Sequence, residues 1–313
     1  MSTNSFRHEA LFYDGQADYV RRTGDFIEDA VNSGEPILVV VSAEKIELLR
    51  RRLGRRASKV RFADMAGVGL NPARIIPAWQ EFVEDAAVPG QRLRGIGEPI
   101  WAARAGEELV ECQRHEALLN VAFDDVADFW LLCPYDLKLA PAVLDEAQRS
   151  HQYLADSAGH HTSAAYSGGG NPTLHAPLPE LGQPAAEVSF AATSLGAVRR
   201  LVSRHAARAG FPPERIADVT FAANEVATNS IRHGGGTGRL RIWRDAGALV
   251  CEVCDSGTAA PALADRRRPG SDIGAPRGLW LANQLCDLVQ LRSFTDGNAV
   301  RVHLRAEPSM AAS

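Results

Sequence analysis

The chain has 313 residues, 45% of them hydrophobic and 23% charged, with a net charge of −4 at pH 7. That length exceeds one ordinary core and predicts two domains, and the slightly acidic balance argues against general nucleic-acid binding. No apolar run is long enough to span a bilayer and MSTNSFRHEA holds no apolar signal core, so a cytoplasmic, membrane-free protein is expected.

In the first half, strands and helices alternate. Residues 36–42 form a continuous apolar run, the pattern of a strand buried on both faces. A helix is predicted over 43–53, stopped by Gly54, then a short strand over 60–63. Asn71 and Pro72 open a helix, 93–97 reads as a strand and 106–120 as a helix. Residues 128–133 are a further strand and 140–154 a further helix, with His151 near its end read as a surface residue. The alternation predicts an α/β doubly wound parallel sheet over residues 7–155. Residues 156–186, rich in Ser, Gly, Pro and Ala, read as a flexible linker.

The second half, 187–306, has a different order. A strand over 187–191 precedes a helix capped by Ser194 and stopped at Gly210, and Pro212-Pro213 starts a helix ending at Gly234. Residues 239–244 and 248–254 form a hairpin, a loop runs over 258–277, and a helix starts near Gly278. A last hairpin pairs 288–294 with 299–305 across residues 295–298. Two hairpins with interspersed helices predict an antiparallel sheet covered on one face, an α+β sandwich.

Five cysteines form no disulfide framework, and Cys251 and Cys254, three apart on a strand, point to opposite faces. The chemistry concentrates elsewhere. In the 212–234 helix, Ile216, Val219, Ala223, Val226, Ala227 and Ser230 share one face, while Asp218, Glu225, Asn229 and Arg232 share the other. Glu225 and Asn229 are one turn apart, so an acid and an amide oxygen stand together where magnesium and a nucleophile could be handled. Alone, that pair reads more readily as a solvated polar face than as a site. Downstream, Asp255 sits at a strand end, where its carboxylate could accept from an adenine amine with Gly257 beside a flat ring. The loop leading into Gly278 offers free N–H groups and a positive helix end to phosphates, and Arg266, Arg267, Arg268 and Arg277 add charge to it.

In this order, NEVATNSIRHGGG, CDSG and RGLWLANQLCDLV resemble the N, G1 and G2 boxes of the GHKL (Bergerat) ATPases, and among them the RsbW-like anti-sigma-factor serine kinases. The resemblance implies ATP and Mg2+ as cofactors, Asn229 as the magnesium ligand, Glu225 as the base, Asp255 with Gly257 at adenine, and Gly278 at the phosphates. His233 and Gly234 match the end of the N box. The family's glycine two residues before Gly278 is Pro276 here, which lacks a donor, so Gly274 is the substitute candidate beside Arg277. The implied partners are a sigma factor or an anti-sigma-factor antagonist, with a homodimer left open. Two other readings compete: a non-catalytic, ATP-dependent module that sequesters a partner, and the ATPase half of a histidine kinase.

The first half lacks G-x-x-x-x-G-K-[ST]; after its first buried strand the chain reads Ser42-Ala43-Glu44-Lys45. His8, Tyr13, His115, Glu116, Cys133 and Tyr135 are candidate pocket residues, and none has metal-ligand spacing. HEALFY, ILVVVS, AWQEF and FWLLCPYD resemble the MEDS sensory domain, a RecA-like fold without a working P-loop. That resemblance implies a small ligand of unknown identity at the strand ends.

Overall fold

The computed structural model describes residues 6–88, 90–104, 106–168, 171–174, 176–245, 248–268 and 277–305. The chain divides into two compact units, residues 1–174 and 175–313.

Unit 1 is built on a seven-stranded sheet. In chain order its elements are β1 (Arg7–Tyr13), α1 (Gly15–Asn32), β2 (Ile37–Val41), α2 (Ala43–Leu53), β3 (Arg61–Asp64), α3 (Met65–Gly69), α4 (Ile75–Ala86), β4 (Leu93–Gly97), α5 (Gly106–Ala122), β5 (Phe129–Asp136), α6 (Pro141–Ser150), β6 (Tyr153–Asp156) and β7 (Gly159–Thr162). The strand order is β3-β2-β4-β5-β1-β6-β7, parallel throughout except for the antiparallel pair β6–β7. Strand β2 is buried at every position, as its unbroken apolar run requires. Ser42 caps α2 by accepting the Lys45 N–H, and Gly54, at φ +55°, ends it.

Strand β1 is central, yet its alternation is masked by His8 and Glu9, both fully buried. Each has partners: His8 meets Asn120 and Glu116 of α5. Glu9 accepts from Arg7, from the Trp130 indole at 2.8 Å and from His160 at 2.8 Å. Helix α1, absent from the sequence expectation, covers one face with Tyr19, Phe26, Ile27 and Ala30.

Two expectations are corrected here. The helix predicted over 140–154 stops at Ser150: the His151 backbone turns extended, and its ring donates from Nδ1 to the Ala147 carbonyl at 2.8 Å. Residues 153–156 then join the sheet as β6. The boundary between the units falls inside the 156–186 stretch, but its described residues are not a flexible chain. Its first part forms β7, and Asn171, fully buried, donates to Glu146 at 2.7 Å. In unit 2, its carbonyls at Ala176, Pro179 and Gly182 accept from Arg292, Arg301 and Trp243. A Pro-rich segment has spare carbonyls, and these side chains use them.

Unit 2 contains β8 (Ala186–Ala191), α7 (Leu195–Arg208), α8 (Pro213–His233), β9 (Thr237–Asp245), β10 (Ala248–Asp255), α9 (Gly278–Leu285), β11 (Leu288–Phe294) and β12 (Gly297–Arg305). The five strands are antiparallel in the order β11-β12-β10-β9-β8. Helices α7 and α8 pack Val198, Val202, Val219, Val226 and Ala227 onto Leu240, Ile242, Leu249 and Cys251 of the sheet. Ser194 does not cap α7: its hydroxyl is engaged with the backbone of Ala191. The last hairpin turns tighter than expected, because Gly297, at φ +147°, already pairs with Phe294.

The second sheet face is not the open surface expected. Glu252, Gln290, Arg292, Arg301 and His303 are all buried on it. Glu252 accepts from Arg301 at 2.7 Å and from Arg241 at 2.6 Å, while Cys254 on that face lies opposite in direction to core Cys251. Burial, then the Arg301 and Arg305 charges, push His303 down to about 3, and its ring meets Gln290 at 2.9 Å. The unfolded chain, with an ordinary histidine near 6.5, therefore binds a proton that the folded chain refuses. That stability is present above pH 6.5 and is lost as pH falls toward 3. Acid titration of unit 2 is expected to show a loss on the order of 4 kcal/mol across that window. In His303→Gln, urea midpoints measured between pH 7 and pH 4 should converge.

Candidate functional site

Helix α8 buries Val219, Ala222, Ala223, Val226, Ala227 and Ser230, which leaves Glu225 and Asn229 together on its half-buried flank. Helix α9 begins against this flank. A Cβ added to Gly278 would lie 2.9 Å from Glu225 Oε2 and 3.4 Å from Asn229 Nδ2. Any larger residue there would press on both side chains, so glycine lets the helix start and the acid–amide pair share one small space.

One turn beyond Asn229, at the C-terminal end of α8, Gly234 and Gly257 touch backbone to backbone. A Cβ on Gly257 would collide with the Gly234 Cα and the His233 carbonyl, and a Cβ on Gly234 would collide with the Asp255 carboxylate. This contact sets Asp255 at the helix end. Asp255 Oδ2 accepts from the Ser230 hydroxyl at 2.7 Å. Its Oδ1 accepts from the Gly257 N–H at 3.1 Å and the Asn298 amide at 2.9 Å. A carboxylate has about four lone-pair positions, so three donors leave one acceptor position open. Asn298 is itself held, its oxygen accepting from Ser293 at 2.7 Å.

Among the expected site residues, Glu225, Asn229 and Gly278 come together, as do His233, Gly234, Asp255 and Gly257. Arg277 is exposed and precedes α9 without a side-chain cap bond. Gly274 and Pro276 lie outside the described residues. Arg266 does not add charge to an open loop: it is fully buried beside Asp265, at 3.5 Å, a counter-charge that makes its burial tolerable. Ser230 and Asn298 were missed as site residues. Ser230 reads as part of the apolar stripe, and only its position one turn before Gly234 hinted at a polar role.

The six pocket candidates of unit 1 divide between the two sheet faces. Tyr13 points into the α1–α2 side, where its hydroxyl donates to Glu98 at 2.9 Å and accepts from Lys45 at 2.8 Å. Burial, then the Glu98 charge, push that phenol far above its ordinary value. A cavity of about 660 Å³ opens at the C-terminal strand ends, lined by Phe12, Asp14, Arg22, Leu137, Leu154 and Asp156 among others. On the opposite face His8, Glu116 and Cys133 meet, and His151 joins them. His151 is thus fully buried, a correction to its reading as a surface residue. Burial, then His151, push His8 down to about 4, and burial pushes the Cys133 thiol up. Burial raises the Glu116 carboxyl, but its contacts with His151 and His8 outweigh this and hold it below the carboxylate range. Tyr135 stands edge-on to His151, with ring centres 5.6 Å apart.

Comparison with known proteins agrees with this division. Residues 7–152 match the family model of MEDS, the methanogen/methylotroph DcmR sensory domain. Residues 188–304 match that of the histidine kinase-like ATPase domain. The chain therefore carries an N-terminal MEDS domain and a C-terminal GHKL-type ATPase domain, a domain class that implies ATP binding. Among solved structures, the RsbU and RsbW domains of a Mycobacterium tuberculosis protein match with 18% identity and a TM-score of 0.30, over 39% of this chain and 33% of that one. The catalytic domain of the histidine kinase ThkA, nucleotide-free, matches with 12% identity and a TM-score of 0.26, over 39% of this chain and 97% of that one. The chain thus spans about a third of the first of these structures. No curated protein sequence matches. No helix among the described residues is long and apolar enough to cross a membrane.

Proposed function

We propose that residues 187–306 form an RsbW-like protein serine kinase and anti-sigma factor, governed by a RecA-like sensory domain at 7–155 in a cytoplasmic regulator. The observation that supports it best is the convergence of Glu225, Asn229 and the Gly278 helix start on the C-terminal half of α8, with Asp255 beside them at its last turn. Asn229 would hold Mg2+ through its amide oxygen, and the helix start at Gly278 would face the phosphates. Asp255 would use its open acceptor position for the adenine amine. Bound Mg–ATP supplies the electrophilic γ-phosphoryl group. Glu225 takes the proton of the attacking serine hydroxyl as the new O–P bond forms and ADP departs. The serine belongs to an antagonist protein, where the added negative charge would break an interface. A small ligand in the strand-end cavity of unit 1 would set how the kinase holds its sigma factor or antagonist.

Burial of Arg266 favours a second reading. It removes one of four loop arginines from the phosphates, which suits a nucleotide-dependent sequestering module without transfer. The histidine-kinase reading fares worse, because an enclosed His151 cannot receive a phosphoryl group. Partner capture followed by transfer from labelled ATP distinguishes these readings. Glu225→Gln should keep ATP affinity and lower transfer to the captured partner by about 10²–10⁴-fold. ATP binding by the unaltered chain without label on any captured protein would leave the sequestering reading in its place.

A further inference from the structure

We propose that His8, Glu116, Cys133 and His151 are a buried binding site for a tetrahedral transition-metal dication, with zinc the best fit. The four come from four elements. His8 lies on β1 and Cys133 on the neighbouring β5, facing the same side of the sheet; Glu116 is midway along α5, and His151 follows α6. None is more than 1% exposed. One ligand atom from each lies within 4.8 Å of all the others.

The closest separations have the scale of a coordination shell. Glu116 Oε2 is 3.1 Å from His8 Nε2 and 3.2 Å from His151 Nε2, and Cys133 Sγ is 3.4 Å from His8 Nε2. Zinc bonds of about 2.0–2.3 Å at tetrahedral angles place neighbouring ligand atoms roughly 3.3–3.6 Å apart.

Hydrogen bonding around the cluster decides where the ring protons sit. Asn120 donates its amide to the Ser150 carbonyl at 2.7 Å, which turns its oxygen toward His8 Nδ1 at 3.2 Å. His8 therefore carries its hydrogen on Nδ1. His151 Nδ1 faces the Ala147 carbonyl, a pure acceptor, and carries its hydrogen there as well. Both Nε2 lone pairs then point toward the Glu116 carboxylate. Without a cation, three acceptors converge in a buried cluster where the Cys133 thiol can donate to His8 Nε2 alone or to one carboxylate oxygen, leaving the others facing one another. His151 Nε2 and Glu116 Oε1 are buried and make no hydrogen bond. Protonating both rings would bury two positive charges against one carboxylate, whereas a single dication takes one lone pair from each of the four residues. An Nδ1–H tied to a carbonyl oxygen, with Nε2 free, is also how metal-bound histidines are oriented.

Two imidazoles, a carboxylate and a thiolate form a borderline donor set suited to zinc. As the metal–sulfur bond forms, the Cys133 thiol loses its proton to water. Four protein donors close the shell, so the metal would tie β1 and β5 to α5 and α6 rather than activate a water. The site stands apart from the proposed kinase chemistry.

The test uses the full chain. Elemental analysis after purification with zinc should find about one zinc per chain. Apo protein titrated with Co2+ should develop tetrahedral visible bands with a thiolate charge-transfer band. Cys133→Ser should lose the charge-transfer band, and His151→Ala the stoichiometric metal. Asn120→Ala, which alters no ligand, should weaken cobalt binding by about 10–100-fold. The proposal is overturned if the unaltered chain retains no zinc and gives no cobalt spectrum, or if Cys133→Ser and His151→Ala bind cobalt as tightly as it does. In that case the cluster is a metal-free polar network.

Discussion

Asn229→Ala is expected to abolish magnesium-dependent ATP binding, with affinity falling at least roughly a hundredfold, ~2.7 kcal/mol. Magnesium takes few protein ligands and relies on phosphates and water for the rest, so one missing amide oxygen is not easily replaced. The fold should survive. Asn229 is half-buried on the polar flank of α8, outside the packed stripe of Val219, Val226 and Ala227. Alanine is the better helix former by about 0.5 kcal/mol, so thermal stability should stay level or rise slightly. Calorimetry with and without Mg2+ reads the effect. Unchanged Mg–ATP affinity in this variant would remove Asn229 from the site and leave the fold as described. Asp255 provides the contrast. Its carboxylate is held by Ser230, Gly257 and Asn298, so substitution there disturbs both nucleotide affinity and the packing of the helix end.

The legible parts of this molecule are those governed by local periodicity. The apolar stripe of α8 repeats at helical spacing, and this separated Glu225 and Asn229 from the core before any contact was known. The continuous run in β2 and the antiparallel hairpins were legible for the same reason. What escaped depends on partners far away in the chain. Strand β1 carries His8 and Glu9 where an apolar alternation would be read, and they are tolerated inside because Glu116, Asn120, Trp130 and His160 satisfy them. His151 looked like a surface residue at a helix end, but its burial follows from where β1 and α5 lie. Ser230 looked like a small core residue until Asp255, 25 positions later, was placed against it. Arg266 reads as free in a basic loop, yet it is buried with Asp265 as its neighbouring counter-charge. The 156–186 stretch lacks any period, and its described residues are held by the pairing of β7, by Asn171 on Glu146, and by arginine and tryptophan donors to its carbonyls.

Trp79→Ala is expected to produce the largest stability loss in unit 1, about 3–5 kcal/mol. Trp79 is 1% exposed and lies between α4 and the sheet. Its ring occupies space that β4 leaves open by carrying glycine: a Cβ at Gly95 would stand 2.9 Å from the indole, and one at Gly97 3.0 Å. Phe82 and Phe129 flank it, with ring centres at 6.4 and 6.1 Å. Two backbone glycines cannot move inward to fill the void left by alanine, so relaxation is limited and the cavity term stays large. Chemical denaturation followed by circular dichroism should show a shifted unit 1 transition. If the two units fold independently, the unit 2 transition and calorimetric ATP affinity should both stay where they are in the unaltered chain. A common shift of both transitions would mean that the units unfold as one cooperative body, and that a ligand stabilising the sensory half is felt directly by the ATPase half through shared stability.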